Sequence, residues 1–116
     1  MDYSVLYDRY KDSFTDDYAK AKAAIADGFD LVDIKVAADI AQNLLKVVNE
    51  LQENLSLDDK KGFIVYMAMK LYYEQELPWY LKIGFVKYFI KKKITKLVDG
   101  AIDYLNEKGI VKESDL

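Results

Sequence analysis

The sequence predicts an all-α protein: an antiparallel bundle of about four helices forming a single helical domain over residues 1–116. Three observations predict it. Apolar residues recur three and four positions apart through most of the chain, the period of a helix face and not of a strand. Punctuation is sparse, since one proline and five glycines leave too few turns for an all-β fold. Hydrophobic residues make up 52% of the chain, enough to build a core and too many for intrinsic disorder.

The first helix is expected over about residues 3–26. Tyr3, Tyr7, Tyr10, Phe14, Ala21 and Ile25 share a face, with Ser13 and Thr15 offering N-caps where a break would fall. "DGFD", residues 27–30, reads as a turn, with Gly28 able to end the helix in the left-handed conformation. The second helix, about 31–54, takes Asp30 as N-cap and has Asp33 in its first turn. Ile34, Ala37, Ala38, Ala41, Leu44, Leu45, Val48 and Leu51 make it the cleanest amphipathic pattern in the chain. The third, about 57–76, follows the N-cap Ser56 and carries Asp58 and Asp59 at the positive end of its dipole. Its middle, "FIVYMAMKLYY", is apolar on every side, which suits the centre of a bundle or an oligomer interface. Pro78 stops that helix and suits the first position of the fourth, about 79–108, which Gly109 would cap. The expected core comprises Ile34, Ala41, Leu45, Val48, Ile64, Met67, Ala68, Leu71, Ile90, Ile94 and Leu97.

The fourth helix contains the most unusual stretch, "PWYLKIGFVKYFIKKKITKLV". It holds six lysines and no acid. On a helical wheel Ile83, Val86, Ile90, Ile94, Leu97, Ala101 and Leu105 form a core stripe, and Lys82, Lys92, Lys93 and Lys96 fall opposite. Phe85, Tyr88 and Phe89 point toward the lysine side, Gly84 is a weak point in the helix, and Trp79 and Tyr80 sit at its start. The candidate interaction face is therefore Trp79, Phe85, Tyr88, Phe89, Lys92, Lys93 and Lys96. It could touch a neighbouring helix or subunit, lie on anionic headgroups, or grip single-stranded nucleic acid with stacking rings. Near-absence of arginine and a pI of 5.0 speak against nucleic acid.

Charge is unevenly spread. Residues 1–60 carry 13 acids against 7 bases, and residues 61–116 carry 7 acids against 10 bases. The two regions could attract one another within a molecule or between two, though charge runs commonly belong to solvated helix faces. No basic and apolar leader opens the chain, no apolar run reaches the roughly 20 residues of a membrane span, and cysteine is absent, so a cytoplasmic location is expected.

The catalytic inventory is thin. With no histidine and no cysteine, the commonest general base, soft metal ligands and the strongest nucleophile are missing. The glycines are isolated, so there is no phosphate loop, and "DGFDLVD" departs from the order of a calcium loop. Asp99 with Asp103, and Asp8 with Asp12 and Asp16, stand one turn apart; such pairs can hold a hard cation but on exposed helices are ordinarily just solvated. No enzyme activity, cofactor or metal is expected.

The segment "DDKKGFIVYMAMKLYYEQ" followed by "ITKLVDGAIDYLNEKG" resembles the soluble helical tail of a class of small bacteriophage holins. Those tails have a lysine-rich helix start, an apolar helix and a final helix of the type I-x-x-L-I-E-A-A-V-x-x-L-N. The matching residues are Lys60, Lys61, Ile94, Leu97, Val98, Ala101, Ile102, Leu105 and Asn106. The resemblance covers less than half the chain and implies a phage or prophage origin. Those holins begin with a membrane span that has no counterpart here, so pore formation is not implied and no functional residue is carried over.

The expected function is that of a non-enzymatic structural or protein-interaction module with an unknown protein partner. The alternatives are a peripheral membrane-surface protein using residues 79–98 and a single-stranded nucleic-acid binder. A homodimer is also expected, because the apolar third helix and the off-stripe Phe85, Tyr88 and Phe89 leave surplus apolar surface to cover. In it the lysines would sit at the rim or meet Asp16 and Asp17 of the other chain. The competing expectation is that the first helix covers this surface within one chain.

Overall fold

Local capping chemistry sets where the helices begin. Asp2 is extended and accepts hydrogen bonds from the Ser4 N–H at 3.0 Å and the Ser4 hydroxyl at 2.6 Å, starting α1, Tyr3–Tyr10. Those bonds hold its carboxyl below the usual aspartate value. Ser56 caps α4, Leu57–Tyr73, by accepting from the Asp59 N–H at 3.2 Å, with Asp58 and Asp59 in the first turn as expected. Between them lie α2, Asp16–Ala26, and α3, Ile34–Asn49. The last helix, α5, runs Gly84–Glu107.

The computed structural model describes residues 2–14, 16–26, 34–51, 54–74 and 79–109, and among these the protein is all-helical, with five α-helices and no strand. The expected turn at residues 27–30, the caps Asp30 and Pro78, Thr15, and the tail beyond Gly109 lie outside the described residues.

Three boundaries differ most from expectation, and α4 also ends at Tyr73, ahead of the expected residue 76. The predicted first helix is two helices, joined by the 3-10 turn Lys11–Ser13 and an extended Phe14 at φ −66°, ψ 133°. The extension folds the Phe14 ring back onto Tyr7 and Tyr18, at centroid distances of 5.5 and 4.8 Å. The second helix ends at Asn49, not near residue 54. The Glu50 N–H is shared between the Lys46 and Val47 carbonyls, and the Leu51 N–H bonds the Val48 carbonyl at 3.1 Å, the tightened geometry of a final turn. The fourth helix begins at Gly84. Before it stand a separate 3-10 turn, Trp79–Lys82, and Ile83, extended at ψ 141°. Helix-breaking glycine is therefore used as a first helical residue and not accommodated inside the helix. At the other end Gly109 takes φ 69° and donates its N–H to the Asn106 carbonyl at 3.1 Å, the expected C-terminal cap.

Helix α4 packs against each of the other four helices, α3 packs against α2, α4 and α5, and α1 rests on α4. Phe63, Ile64 and Met67 of α4 are wholly buried, and α3 contributes a continuous apolar face from Ala38 to Val48. Ala41, Leu45, Val48, Ile64, Met67, Ala68, Leu71, Ile90 and Ile94 are buried as expected. Leu97 is only half-buried, because the buried row of α5 steps by four through Ile90, Ile94, Val98 and Ile102. The side chain of Ile34 lies outside the described residues.

The α1–α2–α4 junction is built from rings. Tyr7 meets Phe14, Tyr18 and Tyr66, and Tyr3 meets Phe63 and Tyr66, mostly edge to face. The Lys70 Nζ stands 4.6 Å from the Tyr7 ring centroid. The tyrosines of the first segment thus cover α4 and not the start of α5.

Candidate functional site

Helix α5 is anchored by its C-terminal two thirds. From Gly84 to Phe89 only Val86 is shielded, and the regular burial of the core stripe begins at Ile90. The first turns of α5, with the 3-10 turn before them, are therefore left largely open to solvent. Among the described residues seven large hydrophobic side chains are exposed, and five of them fall between Trp79 and Phe89. Trp79 is 75% exposed, Tyr80 53%, Phe85 66%, and Tyr88 and Phe89 63% each. Side chains this apolar are rarely left so open unless they have a task, and here they cluster within residues 79–89.

Helix geometry arranges them. Phe85, Phe89, Lys92 and Lys96 are spaced by four, three and four, so they form one ridge on the side of α5 opposite Ile94 and Ala101. Tyr88 flanks the ridge, with its ring 5.9 Å from that of Phe89 and nearly perpendicular at 71°. Trp79 and Tyr80 make a second such pair, 6.2 Å apart at 81°. Rings locked edge to face lose less freedom when something docks on them.

The lysines complete the face. Lys82, Lys87, Lys91, Lys92, Lys93 and Lys96 are all exposed. Lys87 lies 5.1 Å from the Tyr73 ring centroid, a cation over an aromatic at the edge of α4. Lys91 borders a groove between α4 and α5 together with Asp58, Lys61 and Asp99. Lys61 and Asp99 pair across that groove at 3.6 Å. Lys82, Lys92, Lys93 and Lys96 have no ion-pair partner among the described residues.

Every sequence-predicted face residue, Trp79, Phe85, Tyr88, Phe89, Lys92, Lys93 and Lys96, is exposed. Tyr80, Lys82 and Lys87 join them; the signal for these was the acid-free run itself. The paired acids behave differently. Asp8, Asp12, Asp16, Asp99 and Asp103 are exposed, and among the described residues no three acidic side chains converge on a point where an ion could sit.

The most perturbed titratable groups are partly buried tyrosines, foremost Tyr18 in the ring cluster. Burial and a 3.3 Å hydroxyl contact with Tyr7 push the Tyr18 phenol far above its usual value. Burial, reinforced by the Asp59 carboxylate, raises Tyr3, and burial raises Tyr72 and Tyr73. These shifts keep the phenols neutral, so they serve as packing groups with polar tips.

No protein-family model, no curated protein and no solved structure matches the chain.

Proposed function

We propose that this protein is a non-enzymatic interaction module whose working surface is the aromatic and basic face running from Trp79 to Lys96. The observation that carries the reading is the concentration of exposed rings between Trp79 and Phe89, next to lysines and without an acid in the segment. Large apolar surface costs solubility when open to water, roughly 25 cal/mol for each Å² that a partner could cover. A face of that kind is retained where docking on it is the use. The remaining helices, read as an antiparallel bundle, act as the frame that holds α5 in place. The composition supports a binding role over a catalytic one, since histidine and cysteine are absent from the sequence.

The test is site-specific photocrosslinking in the cells that make the protein. Phe85→benzoylphenylalanine and Phe89→benzoylphenylalanine should each give adducts, to protein or to lipid. The same substitution at Asn106, exposed at the far end of α5, is the control. Adducts at positions 85 and 89 well above the control support the reading. Equal or absent adducts at all three positions overturn it.

A further inference from the structure

We propose that the occupant of this face is the surface of an anionic lipid bilayer. The inference rests on the reading of Trp79–Lys96 as the working surface and names what it meets.

Three features of the face select a bilayer. The first is charge. Lys82, Lys92, Lys93 and Lys96 have no ion-pair partner among the described residues, and no acid lies between residues 78 and 98, so the complement carries negative charge. The second is the choice of rings. Trp79 and Tyr80 combine an apolar body with a polar tip, the kind of side chain that settles at headgroup level, while Phe85 and Phe89 can enter the acyl boundary. The third is shape. The five rings are each more than half exposed, so they fit a soft, deformable surface better than a preformed pocket. Trp79 at 75% exposure is the most prominent of them.

Charge also disfavours a second copy of the chain. A two-fold interface sets a patch against itself, which here brings lysines onto lysines. Asp8, Asp12, Asp16 and Asp17 stand among Arg9, Lys11, Lys20 and Lys22 on α1, the 3-10 turn and α2, so their near-balanced charge offers no acidic patch to the lysines of another copy.

The measurement is co-sedimentation of the whole protein with vesicles, of phosphatidylcholine alone and of phosphatidylcholine containing phosphatidylglycerol. Trp79, the one tryptophan of the chain, reports insertion through its emission. Binding is expected to the anionic vesicles alone, with a shift of emission to shorter wavelength and loss of binding at high salt. Lys92→Gln with Lys93→Gln should weaken partition roughly fivefold per lysine. Phe85→Glu with Phe89→Glu should weaken it roughly a hundredfold, while far-ultraviolet circular dichroism stays unchanged. Absence of binding to anionic vesicles overturns the proposal, and so does binding that ignores the phenylalanines. Retention of a single-stranded oligonucleotide without vesicle binding assigns the face to nucleic acid instead. A doubled solution mass that Phe85→Glu with Phe89→Glu returns to monomer, without vesicle binding, assigns it to a second copy. In each of those cases adducts at positions 85 and 89 would persist, so the face would stand and only the bilayer would fall. Loss of both adducts and vesicle binding removes the face as well.

Discussion

Tyr3 lies directly against Gly62, and a Cβ at that glycine would occupy the end of the tyrosine ring. Glycine inside a helix costs about 1 kcal/mol relative to alanine. Here it opens a seat on α4 for the first turn of α1, and the ring gains edge contacts with Phe63 and Tyr66 in return. Gly62→Ala should therefore change global stability by no more than about 1 kcal/mol while removing amide protection from α1. In a Tyr3→Ala background the same substitution should stabilise by about 1 kcal/mol, because the clash is gone and only helix propensity remains. Hydrogen exchange and urea unfolding of the four variants measure both; an unchanged effect of Gly62→Ala in the two backgrounds would refute the contact. This seat was not legible in the sequence, because it joins residues that only the fold brings together. The Ser56 cap was legible, because its partner is three residues away.

Tyr18 supplies a pH dependence. Its phenol would ionise near 10.0 in the unfolded chain, and in the fold burial and Tyr7 hold the proton to higher pH. Below that value both states are protonated and the group contributes no slope. Above it the unfolded state has released a proton that the folded state keeps, so rising pH favours unfolding, by at most about 1.4 kcal/mol per pH unit for each such tyrosine. Urea unfolding from neutral pH to strongly alkaline pH should show a plateau and then a fall. Tyr18→Phe should flatten the fall, and an identical slope in that variant would contradict the account.

At the scale of elements, α4 is the centre of the fold. Its apolar residues point in all directions because it has a helix on every side, which is why its weak amphipathicity was still readable as a central position. Met67 is wholly buried there. Met67→Ala should destabilise by roughly 2–5 kcal/mol in urea unfolding, the range for a core truncation. A loss below about 1 kcal/mol would place Met67 outside a packed core. The chain's split near Phe14 was only half legible. Ser13 and Thr15 marked a place where a helix can end and begin, but the ring cluster that rewards the break is a tertiary feature. The separation of Trp79–Lys82 from α5 was signalled by Gly84, and the extended Ile83 is what carries it out.

At the scale of the molecule, the helical wheel alone identified the rings on the wrong side of α5. Whether something covers them depended on where α1 and α2 dock, and no local pattern encodes that. They dock on α3 and α4, drawn by the rings of Tyr7, Phe14 and Tyr66, and the start of α5 is left open. Since Phe85 and Phe89 touch no core, Phe85→Glu with Phe89→Glu should leave folding stability within about 0.5 kcal/mol of wild type. A large loss in that variant would mean that the rings are buried within the chain.

The central claim is that this face is open in the protein by itself and ready for a partner. Trp79 tests it most directly, because it is the sole tryptophan and stands 75% exposed beside the lysines. The measurement is its fluorescence in dilute, partner-free solution, with collisional quenching by iodide and by caesium. The account predicts the long-wavelength emission of indole in water, and stronger quenching by iodide, which the lysines attract, than by caesium, which they repel. Short-wavelength emission from a tryptophan that neither ion reaches would contradict it, since the face would then already be covered.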